Sequence, residues 1–587
     1  MRMSKKHYTT AAAVLTAGVF SGGISWHCLI VPAVLLIISA ALNLKNLKFS
    51  RDSLLIMAVL LSGVISSAAA NADKQNAIHE FMKIIIFALA FYAGTAADKK
   101  TVLNAIILTG AAAAVSGIMG YCNILRIDEF VFNDRTFYRL QSFIKYANIT
   151  AVVLGCAYFA LIDAYGENSK PYIPYVGACL LTAFYLTISK AAIPLFLIVG
   201  AVWIALGKKH AGYFLLQNFI CIIFAAGIIL LARKHYYSIA LIAAAAGIAA
   251  AGKIGAGVNM SRRSIRLVLL SIAALGAVSV AVYAKNTDIF ATLVSRFIYS
   301  RDALKLLKDN PILGIGAGGW RYYQYGIQST GYSVNYVHNG VIQLWLDYGI
   351  AGFAGIAAIF AGSAVRAFGK KEYTLLCMLL FILLHAALDI DFNAGIILVI
   401  CGLITGQLTD GRRSFGYKPF AAAVLAASAL FVCYSCAEYA VRSRFESAYL
   451  KEDYQSALRY AHALERLCPA DSKLKVSIAA LDDGAAEEYM KKAVSLSPLD
   501  MEIYLKYINY KIDNNLPSDI YEFADRLIGM APKQETTYVK VRDFAGKAYK
   551  NGLCSLSEYE RTIDLADRRM EEERVINRNK LLAEITE

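Results

Sequence analysis

The chain has 587 residues, 58% hydrophobic and only 18% charged, with a mean hydropathy of +0.49. Soluble globular chains hold about 25% charged and roughly half apolar residues, so this excess points to a bilayer. The net charge of +15 does not make a nucleic-acid binder, because Lys and Arg sit in short clusters between apolar runs, where membrane topology needs them.

A membrane span needs about 20 mostly apolar residues to cross a hydrocarbon core roughly 30 Å thick. Candidates are centred near residues 17, 35, 62, 88, 112, 157, 180, 198, 221, 243, 275, 351, 381, 400 and 428. The expected fold is therefore all-α: a polytopic bundle of about 14–15 transmembrane helices, followed by a soluble helical tail. The expected division is an N-terminal bundle over 1–284, a loop over 285–339, a C-terminal bundle over 340–440 and the tail over 441–587.

The positive-inside rule orients the bundle. With Arg2, Lys5 and Lys6 in the cytoplasm, alternate turns carry Lys45, Lys48 and Arg51; Lys99 and Lys100; Lys208 and Lys209; Lys253, Arg262, Arg263 and Arg266; Arg366, Lys370 and Lys371; and Arg412, Arg413 and Lys418. Arg233 and Lys234 are an exception on the other side. The first span is read as retained rather than as a signal peptide, since no clear small-residue cleavage site follows it. Two outward segments are longer than turns: about 123–147, with Arg126, Arg135, Arg139 and Lys145, and about 285–339, with Arg296, Arg301 and His338. Positive charge there runs against the topological rule, and an anionic ligand would explain it.

The tail reads as consecutive amphipathic helices with three similar turns, Leu467-Cys468-Pro469-Ala470-Asp471, Leu496-Ser497-Pro498-Leu499-Asp500 and Met530-Ala531-Pro532-Lys533. The last two prolines are 34 positions apart, the period of tetratricopeptide repeats, which present extended surfaces to partner proteins. A generic helical bundle is the alternative. An odd number of spans puts the tail outside the membrane. The eleven cysteines are scattered, mostly within apolar runs, and Cys433-x-x-Cys436 has no second pair to complete a zinc site, so no metal and no cofactor are expected.

The second long segment carries the chemistry. It runs Arg296-Phe-Ile-Tyr-Ser-Arg301-Asp302, then Pro311-Ile-Leu-Gly314-Ile-Gly316-Ala-Gly318-Gly319-Trp320, then His338-Asn339-Gly340-Val341-Ile342-Gln343 and on to Asp347-Tyr348-Gly349-Ile350-Ala351-Gly352. The glycines are no P-loop, since no Gly-Lys-Ser/Thr follows. His338 sits just before a span, near the first free amides of that helix, where a neutral imidazole is favoured over a protonated one. Such a histidine serves either as a structural residue or as a base. Guanidinium groups such as those of Arg296 and Arg301 suit phosphate oxygens. Tyr322, Tyr323, Tyr325, Tyr332 and Tyr336 suit either an interfacial aromatic belt or stacking on sugar rings.

Residues Arg296 to Gly352 resemble the signature of the O-antigen ligase and polymerase family: an arginine pair, Pro-x-x-Gly-x-Gly, His-Asn, a glutamine, an acidic residue and Gly-x-x-Gly. Three further matches are Arg139-Leu-Gln-Ser-Phe143-Ile-Lys-Tyr-Ala-Asn148; Ser189-Lys190, where the family usually has Ser-Arg; and His385 with Asp389, similar to a His-x-x-x-Asp pair. The resemblance implies a polyprenyl-diphosphate-linked glycan donor, transfer to an acceptor hydroxyl with inversion, and no metal. It implies that Arg139, Lys190, Arg296 and Arg301 hold the diphosphate and that His338 activates the acceptor or organises the site. Asn339, Gln343, Gly314, Gly316, His385 and Asp389 would support it, His385 and Asp389 also being spaced to satisfy one another across one helical turn. Asp347, more than two turns beyond His338, is not expected to touch the chemistry.

The resemblance places the protein in a bacterial cytoplasmic membrane, with site and tail outside, and leaves polymerase, ligase and protein O-glycosyltransferase undivided. The rivals are an export or transporter component, disfavoured because no internal duplication is visible, and an inactive scaffold for envelope assembly, to which the Ser189-Lys190 departure lends weight.

Overall fold

The computed structural model describes residues 5–19, 21–43, 47, 50–69, 72–133, 138–167, 170–206, 211–254, 263, 287–410 and 418–586. The expected span near residue 275 lies outside the described residues, as do Arg2, Lys45, Lys48, Arg135, Lys208, Lys209, Arg262, Arg266, Arg412 and Arg413. Apolar helices stand at every other expected centre. They are α1 (Lys5–Val19), α2 (Ile30–Leu42), α3 (Arg51–Ala69), α4 (Lys74–Ala96), α5 (Lys99–Tyr121), α6 (Ala147–Glu167), α7 (Ile173–Leu186), α8 (Ala192–Ala205), α9 (Ala211–Arg233) and α10 (Tyr237–Gly252). After α11 (Thr287–Asp309) and α12 (Trp320–Ile327) come α13 (Gly340–Gly369), α14 (Tyr373–Ala386), α15 (Gly395–Leu408) and α16 (Lys418–Leu450).

Among the described residues, six helices (α3, α4, α5, α9, α13 and α16) are long and apolar enough to cross a membrane. The others are shorter: the 14 residues of α7 extend only about 21 Å as helix. Leu61, Ile65, Ile223, Leu230, Ile242, Val365 and Leu430 are each more than half exposed. Leaving such a surface in water costs about 25 cal/mol per Å², so these faces suit lipid. The centre is built differently. Gly402 and Gly406 of α15 let its backbone touch α4: a Cβ on Gly406 would lie 2.2 Å from the Phe91 carbonyl oxygen. This is small-xxx-small packing, in which missing side chains allow van der Waals contact between backbones.

The expected outer loop is largely helical, since α11 and α12 lie within it. Its turn 310–319 docks into a break in α13, where Gly349 adopts φ 66°, ψ −179°. Ile315 N–H donates to the Leu346 carbonyl at 2.8 Å, and Ile350 N–H to the Ile312 carbonyl at 3.0 Å. A Cβ at Gly314 or Gly349 would strike that opposing backbone at 2.2 or 2.3 Å. Ser62 Oγ donates to the Tyr348 carbonyl at 2.6 Å, and Ser66 Oγ to those of Leu313 and Asp347 at 2.8 and 2.9 Å. Irregular backbone inside a membrane domain survives only where such partners replace water. The other long outward segment holds a short hairpin, β1 (Val131–Asn133) paired antiparallel with β2 (Tyr138–Leu140).

The tail is a run of amphipathic helices: α17 (Tyr454–Leu467), α18 (Ser472–Ala479), α19 (Ala486–Leu496), α20 (Met501–Asp513), α21 (Ile520–Met530), α22 (Glu535–Lys550) and α23 (Leu556–Thr586). Each proline turn joins two of them. Asp471 and Asp500 cap the helices that follow, accepting from Leu474 N–H at 2.9 Å and Glu502 N–H at 3.0 Å. The helices bury small and aliphatic residues, among them Ala457, Ala461, Ala493, Ile508, Ala524 and Leu527. The tail touches the segment that carries the signature: Gln534 Nε2 donates to the Tyr332 carbonyl at 2.8 Å. Tail and signature segment therefore share one side of the bundle. None of the eleven cysteines, Cys468 and Cys554 included, forms a disulfide.

Candidate active site

Asp389 lies in the turn after α14 and is fully buried. Its Oδ1 accepts from the Ile390 N–H at 2.8 Å and from Tyr146 Oη at 3.2 Å, and faces His338 Nδ1 at 3.3 Å. Its Oδ2 accepts from Asn148 Nδ2 at 2.5 Å and from an Arg296 guanidinium nitrogen at 3.2 Å. Burial alone would push this carboxyl up, yet the His338 hydrogen bond and the charge of Arg296 hold it well below the usual carboxylate range. Asp389 Oδ1 is placed to accept an N–H from His338 Nδ1, which leaves Nε2 outside that contact.

The same carboxylate gathers the other motifs. Asn148 Oδ1 accepts from the Arg139 guanidinium, whose Nε donates to the Thr187 carbonyl at 2.9 Å. Thr187 opens the turn that carries Ser189 and Lys190. Ser189 is buried, its Oγ accepting from the Ala192 N–H at 3.3 Å at the start of α8, while Lys190 is exposed. Arg296 also donates to the Leu388 carbonyl. Segments that are far apart in the chain thus meet at one buried acid.

His338 itself is strained. Its φ of 57° is a left-handed conformation that non-glycine residues rarely adopt. Contacts on both sides hold it there. Val337 N–H donates to Gln343 Oε1 at 2.9 Å, and Asn339 Oδ1 caps α13 by accepting from Val341 and Ile342 N–H at 3.2 Å. Those two amides, expected to be free beside His338, are occupied by the neighbouring asparagine side chain. Gln343 also donates to Asp347 Oδ1 at 2.9 Å, and Asp347 accepts from Gly318 N–H at 3.2 Å. The glutamine, the second acid and the glycines of the signature are therefore scaffold. Gly314 and Gly316 supply positive φ angles of 70° and 81° for the docked turn.

Two further expectations are corrected. His385 does not pair with Asp389: its Nδ1 lies 2.6 Å from Asp391 Oδ2, both side chains wholly buried. The turn after Ala386 swings Asp389 away toward His338 and brings Asp391 back. Arg301 is not part of the Asp389 cluster. Its guanidinium donates to Ser329 Oγ at 3.1 Å, within a second network in which buried Asp302 accepts from Ser329 N–H at 2.7 Å and Tyr332 Oη at 3.0 Å and pairs with Lys305 at 2.7 Å. Of the five tyrosines, Tyr322 and Tyr336 are buried, while Tyr323, Tyr325 and Tyr332 are partly exposed. Tyr322 Oη donates to Asp73 at 2.7 Å and Tyr336 Oη reaches Glu80, both rings being buried. Tyr299, about one turn from Arg296, sets its ring beside His338, the centroids 6.1 Å apart.

Residues 175–357 match the family model described as O-Antigen ligase. That segment contains Lys190, Arg296, Arg301, His338, Asn339 and Gln343, whereas Arg139, Asn148, His385 and Asp389 lie outside it and join it through the fold. With the apolar helices, the match supports a multi-pass membrane protein of glycan ligase or polymerase type. Among curated proteins, none matches the chain.

Sequence reading missed Tyr146, Asp391 and a buried pair on α4, Glu80 with Lys83. The pair had a visible signal, two opposite charges one turn apart inside an apolar run. Among the described residues, no group of three or more His, Cys, Asp or Glu is arranged to hold a metal ion.

Proposed function

We propose that the chain transfers or polymerises saccharide from a polyprenyl-diphosphate-linked donor onto an acceptor hydroxyl at the outer face of a bacterial cytoplasmic membrane. The observation that carries this reading is the convergence of Asn148, Arg296 and His338 on Asp389, with Arg139 joined to it through Asn148. In the proposed step, His338 Nε2 removes the acceptor proton as the acceptor oxygen attacks the anomeric carbon. The bond from that carbon to the diphosphate oxygen breaks with inversion, and the diphosphate leaves as an anion. Asp389 holds the imidazole in the tautomer that accepts at Nε2 and stabilises the imidazolium that results. Arg296 has five N–H groups and uses only part of that fork on Leu388 and Asp389, so the remainder can receive a phosphate oxygen. Arg139 supports the turn that presents Lys190, while Arg301, tied into the Asp302 network, is left out of the donor contact. No metal enters this step. The tail, touching the outer segment, is suited to a large acceptor or a partner protein, in the manner of tetratricopeptide arrays.

The test is glycan transfer from a purified undecaprenyl-diphosphate saccharide, in detergent with a chelator, offered glycan, lipid and peptide hydroxyl acceptors. Product from wild type and none from His338→Ala or Arg296→Ala is expected. Equal turnover in all three would remove the site assignment, and the acceptor that is consumed decides between polymerase, ligase and protein O-glycosyltransferase.

A further inference from the structure

Glu80 and Lys83 lie on α4, the most enclosed of the candidate spans, and both are buried. Taking a charge out of water costs several kcal/mol unless partners replace the hydration. Lys83 Nζ pairs with Glu80, contacts Tyr336 Oη at 3.0 Å and reaches Asn393 Oδ1 at 3.4 Å. The ammonium also lies 4.7 Å from the centre of the Tyr336 ring.

The partners are placed tellingly in the chain. Tyr336 is two residues before His338, and Asn393 is four residues after Asp389. Neither is on a spanning helix; each is on a connection that ends at one half of the His338–Asp389 pair. That pair is long, at 3.3 Å, and His338 is held in a strained backbone conformation. Its geometry therefore depends on how the two connections are registered against each other. A helix packed on all sides is the rigid body that can register them, and Lys83 is its point of contact with both. Buried ion pairs contribute little net stability compared with apolar residues of similar size, so holding α4 in place is a weak account of the pair.

We infer that Lys83 is a positioning residue for the transfer reaction: with Glu80 it fastens the connections bearing His338 and Asp389 to one helix and so sets the geometry of the base. This inference rests on the proposed function above. It is tested with Tyr336→Phe, which removes one hydroxyl and leaves the ion pair, and with the double variant Glu80→Gln/Lys83→Met, which leaves no lone buried charge. His338→Ala serves as the reference. Turnover, donor KM and the pH profile of kcat are measured, together with the rate at which diethyl pyrocarbonate modifies His338, followed by mass spectrometry on protein of unchanged melting temperature. A misplacement of about 1 Å can cost roughly a hundredfold in rate. The expected result is kcat lower by about ten- to a hundredfold with donor KM nearly unchanged, a displaced pH profile, and modification of His338 several times faster. Wild-type kcat, pH profile and modification rate in both folded variants, beside an inactive His338→Ala, would overturn the positioning role while leaving the proposed function standing. Full turnover by His338→Ala would instead remove the assignment of the site to His338, on which the positioning role rests. The modification rates still report on the contact if no substrate is turned over: a rate unchanged from wild type in both variants overturns it.

Discussion

Asp389 and Asp302 are both fully buried acids, both crowded by donors, and both held below the usual carboxylate range against the upward push of burial. They are built from different material. The donors to Asp302 come from residues 305, 329 and 332, within a single stretch of chain. Those to Asp389 come from residues 146, 148, 296, 338 and 390. Asp302 is a clasp that closes a loop on itself. Asp389 draws an arginine and a histidine from separate elements, and both keep nitrogen atoms free for a ligand. A low-lying buried carboxylate is thus no sign of a site in itself; convergence of distant elements with partly accessible donors is the stronger sign.

The comparison is broken most directly by exchanging each acid for its amide. Asp389→Asn is expected to lower transfer by about 10²–10⁴-fold, the usual worth of an oriented general base, as read in the donor assay. Asp302→Asn is expected to act the other way. It removes a charge-assisted partner of Ser329 and Lys305, costing about 1.5–3 kcal/mol of local stability. Limited proteolysis within 310–335 would then accelerate while kcat falls much less. If Asp302→Asn abolished turnover in protein of normal stability, the distinction would fail.

Acid pH sharpens the same contrast. The folded carboxyl of Asp302 lies below its unfolded value of about 3.9, so its stabilising contribution is fully present above that value. It is lost as pH falls through the folded value. The melting temperature of wild type should therefore drop below about pH 4 more steeply than that of Asp302→Asn. A smaller effect is expected from Gln534→Ala, which breaks one hydrogen bond between the tail and the Asp302 loop, worth about 1 kcal/mol. Faster amide exchange at residues 331–334, with turnover changed only severalfold, is the outcome to look for.

Much of this architecture was legible in the chain. Hydropathy located the apolar helices because lipid acts on every residue of a span alike. The signature located His338 and Arg296 because chemistry needs those residue types whatever surrounds them. The two faults are instructive. Spacing alone paired His385 with Asp389, since i and i+4 are neighbours on a continuous helix; the helix ends at Ala386, and the turn hands Asp391 to His385 instead. Arg301 looked equivalent to Arg296, but five positions along a helix point to another face, and it joins the Asp302 loop.

By itself the sequence determined the helical membrane class, the approximate spans, the amphipathic tail and the residue types available for phosphate binding and proton transfer. These follow from local composition and periodicity, which each segment carries without its neighbours. Only the tertiary structure decided that Asn148 links Arg139 to Asp389, that Gly349 opens α13 for the docked glycine turn, that the tail lies beside the signature segment, and that Lys83 reaches the connections bearing His338 and Asp389. Each is a contact across a long stretch of chain, set by how close two backbones can approach and by which buried polar group must find a partner once water is gone.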